Sequence, residues 1–201
     1  MKGETVLDLE QEYSDNFFKK RIKLGWRGKI LNPLIVELFQ PETLVDVGCG
    51  IGDFVKWFQD NGVEAVGIEG TKNPLPYLAI DPEFFHVKDL REDLSGYFQN
   101  KFDLALCIEV AEHIEQEYSQ ILVENLCLLS DQIIFTAALP GQKGHGHINC
   151  QPQMFWEELF KKCRYEREEQ TENLITSNLN YRDNVWVNTI ITNLMIFKRR
   201  G

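Results

Sequence analysis

The chain has 201 residues, 43% of them hydrophobic, which is enough to bury the core of one compact domain. Its formal net charge of −10 disfavours non-specific binding to a polyanion, which rests on cationic contacts to phosphates, so nucleic acid is not the expected partner. No apolar run approaches the length of a membrane span, and residues 1–15 are acidic and lack the apolar centre of a signal peptide.

The five cysteines, Cys49, Cys107, Cys127, Cys150 and Cys163, are scattered and form no Cys-x-x-Cys pair. They indicate neither a disulfide framework nor a zinc ribbon, and a reducing, cytoplasmic setting is expected. Cys49 and Cys107 fall at the ends of buried strands and read as small core residues.

In chain order, Leu9 to Leu31 reads as helical, with Tyr13, Phe17, Phe18 and Ile22 as apolar anchors. Lys19, Lys20, Arg21, Lys23, Arg27 and Lys29 crowd this stretch. Two readings stand: a solvated helical face, or a small anion-recognising surface near an active site. Asn32-Pro33 reads as a cap and first-turn proline of a helix that turns Leu34, Ile35, Leu38 and Phe39 inward and closes at Pro41. Residues 1–40 thus form a helical cap on a core of 43–201, within a single domain of 1–201.

Leu44 to Val47 is an apolar strand that runs into Gly48, Gly50 and Gly52. A helix carrying Phe54, Trp57 and Phe58 follows and stops at Asn61-Gly62. Glycine lets a ligand approach the main chain closely, and a helix start offers unpaired N–H groups. The second strand, Glu64 to Ile68, ends at Glu69, about 20 residues after the glycines, where a carboxylate can accept from ribose hydroxyls. Pro74, Pro76 and Pro82 shorten or abolish the next helix. A third strand, Phe84 to Val87, ends in Lys88-Asp89-Leu90, and a fourth, Phe102 to Ile108, ends in Glu109-Val110-Ala111-Glu112-His113. In an open α/β sheet, ligands bind beyond the carboxyl ends of the strands.

A helix is expected over Glu115 to Leu129, a fifth strand over Gln132 to Ala137, and another helix after Pro152 with Phe155, Leu159 and Phe160 inward. Tyr165 to Glu168 and Thr189 to Phe197 read as the last strands. Between them, Thr171 to Asn188 reads as a long polar loop of the kind that forms functional lids. Trp156, Tyr181 and Trp186 are candidates for a pocket wall, against a default of ordinary packing.

Asp46-x-Gly48-x-Gly50-x-Gly52, Glu69, Asp89-Leu90 and the Glu109-Val-Ala-Glu112-His113 segment together resemble the class I S-adenosylmethionine-dependent methyltransferases. A nicotinamide dehydrogenase fits less well, because its Gly-x-Gly-x-x-Gly fingerprint would place the third glycine one residue later. A ligand-free structural turn is the plain alternative.

The resemblance implies a three-layer, Rossmann-like α/β sandwich with a mostly parallel seven-stranded sheet, order 3-2-1-4-5-7-6, the last strand antiparallel. It implies S-adenosylmethionine as cofactor and S-adenosylhomocysteine as product. The cofactor-binding residues it implies are Asp46, Gly48, Cys49, Gly50, Gly52, Glu69, Gly70, Asp89, Leu90, Ile108 and Glu109. Asp46 would organise the amino-acid end, Glu69 the ribose, Asp89 and the Leu90 N–H the adenine, and the main chain near Ile108 the ammonium.

For the transfer step, His113 and His147 are the candidate catalytic residues. His145 and His147 sit in a glycine-rich loop after the fifth strand, and His113 follows the fourth. Both loops leave one edge of the sheet, and histidine suits proton removal near neutral pH. If the segment is helical, Glu109 and His113 share a face. With Glu112 and a histidine from the 140s loop, that pattern resembles the metal site of small-RNA terminal 2′-O-methyltransferases and some quinone-biosynthesis O-methyltransferases. A divalent metal is therefore considered but no ligand is assigned. The expected activity is O-methylation of a sugar or other small metabolite. A metal-assisted RNA 2′-O-methyltransferase and a non-catalytic cofactor binder are the alternatives.

Overall fold

The structure is a computed structural model that describes residues 8–24, 27–179 and 184–201. Tyr181 lies outside the described residues. Seven strands form one sheet: β1 (Thr43–Val47), β2 (Glu64–Glu69), β3 (Phe85–Val87), β4 (Leu104–Ile108), β5 (Gln132–Thr136), β6 (Tyr165–Arg167) and β7 (Leu194–Arg199), in the order β3-β2-β1-β4-β5-β7-β6. Only β7 runs antiparallel, pairing with β5 and β6. The expected order and the lone antiparallel strand are both present.

The central strands are apolar on both faces because helices cover both. Alternate residues supply the two cores. Val45, Val47, Ala105, Cys107, Ile133 and Phe135 face α5 (Ser119–Leu129) and α6 (Gln153–Lys162). Leu44, Leu104, Leu106 and Ile134 face α3 (Gly28–Phe39), α4 (Asp53–Asp60), α7 (Glu169–Asn178) and α8 (Val185–Asn193). Cys49 and Cys107 are core residues, as expected. Trp156 is fully buried in the first core, so it is no pocket wall. No helix among the described residues is long and apolar enough to cross a membrane.

The N-terminal helical stretch is broken rather than continuous. It comprises α1 (Leu9–Glu12), α2 (Asp15–Arg21) and a 3-10 turn over Ile22–Leu24, before α3 starts at Gly28. Asn32 is therefore not a cap, and Pro33 lies inside α3, where it leaves one carbonyl without its usual donor. Ile22 is exposed at 54% and Leu38 at 38%, so neither is an anchor; Ile35 faces inward as expected, joined by Leu31.

The expected loop over Thr171 to Asn188 contains most of α7 and the first turn of α8, and the last strand begins at Leu194 rather than Thr189. Two features override the strand propensity of Thr189-Ile190-Ile191-Thr192. The Asn184 side chain caps α8 by accepting from the N–H groups of Trp186 and Val187 at 3.0 and 3.2 Å. Val187 and Ile190, three apart, are both fully buried against the sheet. In α7, buried Glu172 accepts from Arg167 Nη2 at 2.8 Å and from the Ile196 N–H at 2.8 Å, tying the helix to β7.

Candidate active site

The chain reverses its direction of strand addition between β1 and β4, which opens a crevice at their carboxyl ends. That crevice holds about 1160 Å³ of empty space, part of it open to solvent. Its floor is the glycine turn. Gly48, Gly50 and Gly52 all have positive φ, at 78°, 58° and 77°. A Cβ on Gly48 would lie 2.3 Å from Val110 Cγ2, and one on Gly52 would lie 2.9 Å from Ile80. A Cβ on Gly50 would meet nothing within 4 Å, because that residue faces the open cleft. Gly52 does not line the cleft; it starts α4.

Glu69, at the end of β2, clamps this turn. Its carboxylate accepts from the Gly50 N–H at 2.8 Å and the Gly70 N–H at 2.9 Å. Each oxygen keeps further lone pairs for a ligand. Burial pushes Glu69 up to about 7, against the opposing pull of those N–H groups. Burial, with the charges of Asp53 and Glu69, pushes Asp46 up to about 8. A cationic ligand is therefore favoured here, since it would relieve the cost of ionising these acids.

The same shifts carry a stability consequence. The folded chain holds these protons to higher pH than an unfolded one does, so ligand-free stability falls as pH rises from about 4 towards 8. Asp46→Asn should remove that penalty and stabilise the ligand-free chain by about 2–4 kcal/mol at pH 9, with a smaller gain at pH 5. Thermal melts at the two pH values test this. Equal melting of variant and wild type at both would show that Asp46 carries no buried-charge cost.

Asp89 also lines the cleft, with Leu90 and Ile108. Its carboxylate is already held by Arg91, with Nη2 to Oδ2 at 2.7 Å, and Arg91 reaches Glu115 at 3.2 Å. Glu109 follows β4 with φ of 56°, a conformation few side chains adopt. Its N–H donates to Thr136 Oγ1 at 2.8 Å and its carboxylate accepts from Asn193 Nδ2 at 3.1 Å. This backbone twist breaks the supposed helix. Only Ala111–His113 is helical, as a 3-10 turn, so Glu109 and His113 do not share an α-helical face.

The loop after β5 meets this turn. The N–H groups of Ile148 and Asn149 both donate to the Glu112 carbonyl, at 2.9 and 3.0 Å. His113 Nδ1 lies 3.1 Å from the Gly146 carbonyl, and His147 Nδ1 lies 3.2 Å from the Gln142 carbonyl. A carbonyl only accepts, so each Nδ1 carries a proton, which in a neutral imidazole makes Nε2 the accepting nitrogen. The two imidazoles stand 5.0 Å apart, and His147 Nε2 is 3.9 Å from Glu112 Oε1. Glu112 is fully buried, and burial with the nearby Glu109 charge pushes its carboxyl well upward. His113 lines the cleft; His147 sits behind it and does not. His145 is turned outward to Glu12 Oε1, at 3.2 Å.

The N-terminal helical cap forms the roof of the cleft, a role its sequence does not disclose. Leu9, Tyr13, Phe17, Phe18, Arg21 and Leu24 all line it, joined by Arg27 and by Trp186 from α8. Asn73 holds the roof down by donating to the carbonyls of Glu10 and Tyr13, both at 2.9 Å. The aromatic stripe Tyr13-Phe17-Phe18 was the available signal, but helical spacing does not distinguish a face on a core from a face on a cleft.

A family model described as a methyltransferase domain matches residues 19–177. A ubiquinone biosynthesis O-methyltransferase of Actinobacillus pleuropneumoniae is 26% identical over 126 residues, covering 55% of this chain and 54% of the relative. One from Haemophilus ducreyi is 28% identical over 126 residues, covering 55% and 53%. The chain thus spans about half the length of the curated relatives it matches. Among solved structures, magnesium protoporphyrin IX methyltransferase from Synechocystis PCC 6803, with bound SAM, aligns at a TM-score of 0.58 and 16% identity, covering 95% of this chain and 89% of that one. A phosphoethanolamine N-methyltransferase from Haemonchus contortus aligns at 0.63 and 13% identity, covering 96% and 59%. The structures share the fold, and the match over residues 19–177 shows the family: the chain belongs to the methyltransferase domain family.

Proposed function

We propose that the chain transfers a methyl group from S-adenosylmethionine to a hydroxyl of a small acceptor and releases S-adenosylhomocysteine. The acceptor oxygen bonds to the methyl carbon as the carbon–sulfur bond breaks, and the hydroxyl proton leaves. One observation carries the donor assignment: open space above Gly50, flanked by the buried acids Asp46 and Glu69, suits a ligand with cationic groups and a ribose. The curated relatives' names favour oxygen as the nucleophile. The five free cysteines fit a reducing, cytoplasmic setting.

Calorimetric titration with S-adenosylhomocysteine and NAD, followed by an acceptor screen with labelled donor, tests the reading. Affinity for S-adenosylhomocysteine but not NAD is expected, with labelled product from a small hydroxyl compound. Tighter binding of NAD would overturn the donor. Binding without product from any hydroxyl, amine or RNA acceptor would favour a non-catalytic binder.

A divalent ion at Glu112, His113 and His147 is a second reading. It is favoured by ligand atoms of the three lying within 4.8 Å of one another. The carbonyls behind each imidazole would fix it as a ligand, and the ion would polarise an acceptor hydroxyl. Under this reading, chelation should abolish turnover and added Zn²⁺ or Mg²⁺ should restore it. Unchanged turnover in chelator would leave the histidines acting without metal.

A further inference from the structure

We infer that Arg21 and Arg27 form an oxyanion-binding subsite of the cleft that holds a carboxylate or phosphate group of the methyl acceptor, whose remaining body is apolar. The inference rests on the methyl-transfer reading above and adds the charge class of the acceptor.

The basic run at the N-terminus sorts by residue type. Lys19, Lys20, Lys23 and Lys29 are exposed to solvent, whereas Arg21 and Arg27 are partly buried and line the cleft. Among the described residues, Arg91, Arg167, Arg199 and Arg200 make ion pairs; the exposed Arg164 and the cleft-lining Arg21 and Arg27 make none. Asp53 lies close enough to act on both, yet among the described residues no carboxylate comes within ion-pair distance of either. The Nε of Arg27 is buried without a hydrogen-bond partner. Burial and the nearby positive charge of Arg21 both disfavour the Arg27 guanidinium. Two cations that repel each other, one of them with a buried unused donor, are an unfavourable arrangement that an oxyanion would relieve.

The residue types also fit. A guanidinium presents a planar fork that matches a carboxylate or phosphate, which an ammonium does not. Both forks are backed by rings: Arg21 lies over Phe17 at 4.7 Å and Arg27 over Trp186 at 5.3 Å. Phe54 completes this wall, edge-on to Trp186 at 6.4 Å. A ligand with a charged head and an apolar body suits such a surface. The chain's net charge of −10 repels anions at long range, so a local cationic pair is what would admit one.

The donor also carries a carboxylate, so the same chemistry has two possible sources. The charge of Arg21 acts on His113 and also on Glu69 and Asp53 beside the glycine turn, so position alone does not separate the sources. The acceptor is assigned because the aromatic wall of Phe17, Phe54 and Trp186 beside both guanidinium groups suits an apolar body that the donor's amino-acid end lacks.

The test is calorimetric titration of the chain saturated with S-adenosylhomocysteine, using benzoate, phenyl phosphate and neutral benzyl alcohol as probes. At least one anionic probe should bind about 10-fold or more tighter than benzyl alcohol. Arg21→Gln and Arg27→Gln should each weaken that probe by about 10- to 100-fold, with S-adenosylhomocysteine affinity changed less than about threefold. Arg21→Lys, which keeps the charge at the end of α2, should retain only part of the affinity. If the glutamine variants lose S-adenosylhomocysteine and keep the probe, the anion is the donor's carboxylate and the inference is overturned. Equal binding of neutral and anionic probes also overturns it while leaving the donor reading intact. Failure of S-adenosylhomocysteine itself to bind overturns the donor reading and this one with it.

Discussion

His113→Ala is expected to lower the rate of methyl transfer by about 10²- to 10⁴-fold while leaving S-adenosylhomocysteine affinity within about threefold. The imidazole lines the cleft, and its Nδ1–H is spent on the Gly146 carbonyl, which leaves Nε2 as an acceptor. Burial lowers its pKa to about 4, so it is neutral across the physiological range with its Nε2 lone pair free, at the cost of being a weaker base than an exposed histidine. The acid limb of the rate profile should accordingly fall near pH 4, not near the usual histidine value of about 6.5. His113 also weakens the fold in acid. Its charged form is disfavoured when buried, so stability is lost as pH falls from about 6.5 through 4.

His147→Ala should have a smaller effect, because His147 sits behind the cleft and acts through the position of its neighbours. Steady-state turnover with the identified acceptor, measured beside cofactor affinity, decides the matter. Normal turnover in both variants would assign the rate to alignment of donor and acceptor alone.

Glu69→Ala is expected to weaken S-adenosylmethionine by about 10- to 100-fold, the loss of charge-assisted bonds amounting to about 1.5–3 kcal/mol. The structure adds a second route to the same loss. The carboxylate holds the N–H groups of Gly50 and Gly70, so its removal would also free the turn proposed to carry the ligand. Glu69→Gln separates the two contributions. It keeps one accepting oxygen near the turn but cannot serve two N–H groups and two hydroxyls. Titration should therefore rank wild type above glutamine above alanine. Unchanged affinity in folded variants would remove Glu69 from the site.

Much of this molecule is local in origin and was legible in the sequence. The strand-glycine-helix run at 44–58, the carboxylate at the end of β2 and the polar end of β4 each depend on neighbours a few residues apart. Strand order was implied by resemblance to a family and agrees with the sheet. Asp46, Gly48, Cys49, Gly50, Glu69, Gly70, Asp89, Leu90, Ile108 and Glu109 all line the cleft, whereas Gly52 starts α4 instead.

Tertiary contacts decided the rest. The β-branched run at Thr189–Thr192 is helical because an Asn184 cap and the burial of Val187 and Ile190 outweigh its strand propensity. Glu109 takes a left-handed backbone and an Asn193 partner 84 residues away, so its spacing from His113 was no guide to their geometry. Glu112 meets His147 only because the loop after β5 donates two N–H groups to the Glu112 carbonyl. The roof is the clearest case. Sequence shows a basic, aromatic helical stretch before the core. Which side chains face solvent and which face the cleft depends on how α2 and the start of α3 pack across strand ends far away in the chain. That packing sends the lysines to water and the two arginines inward.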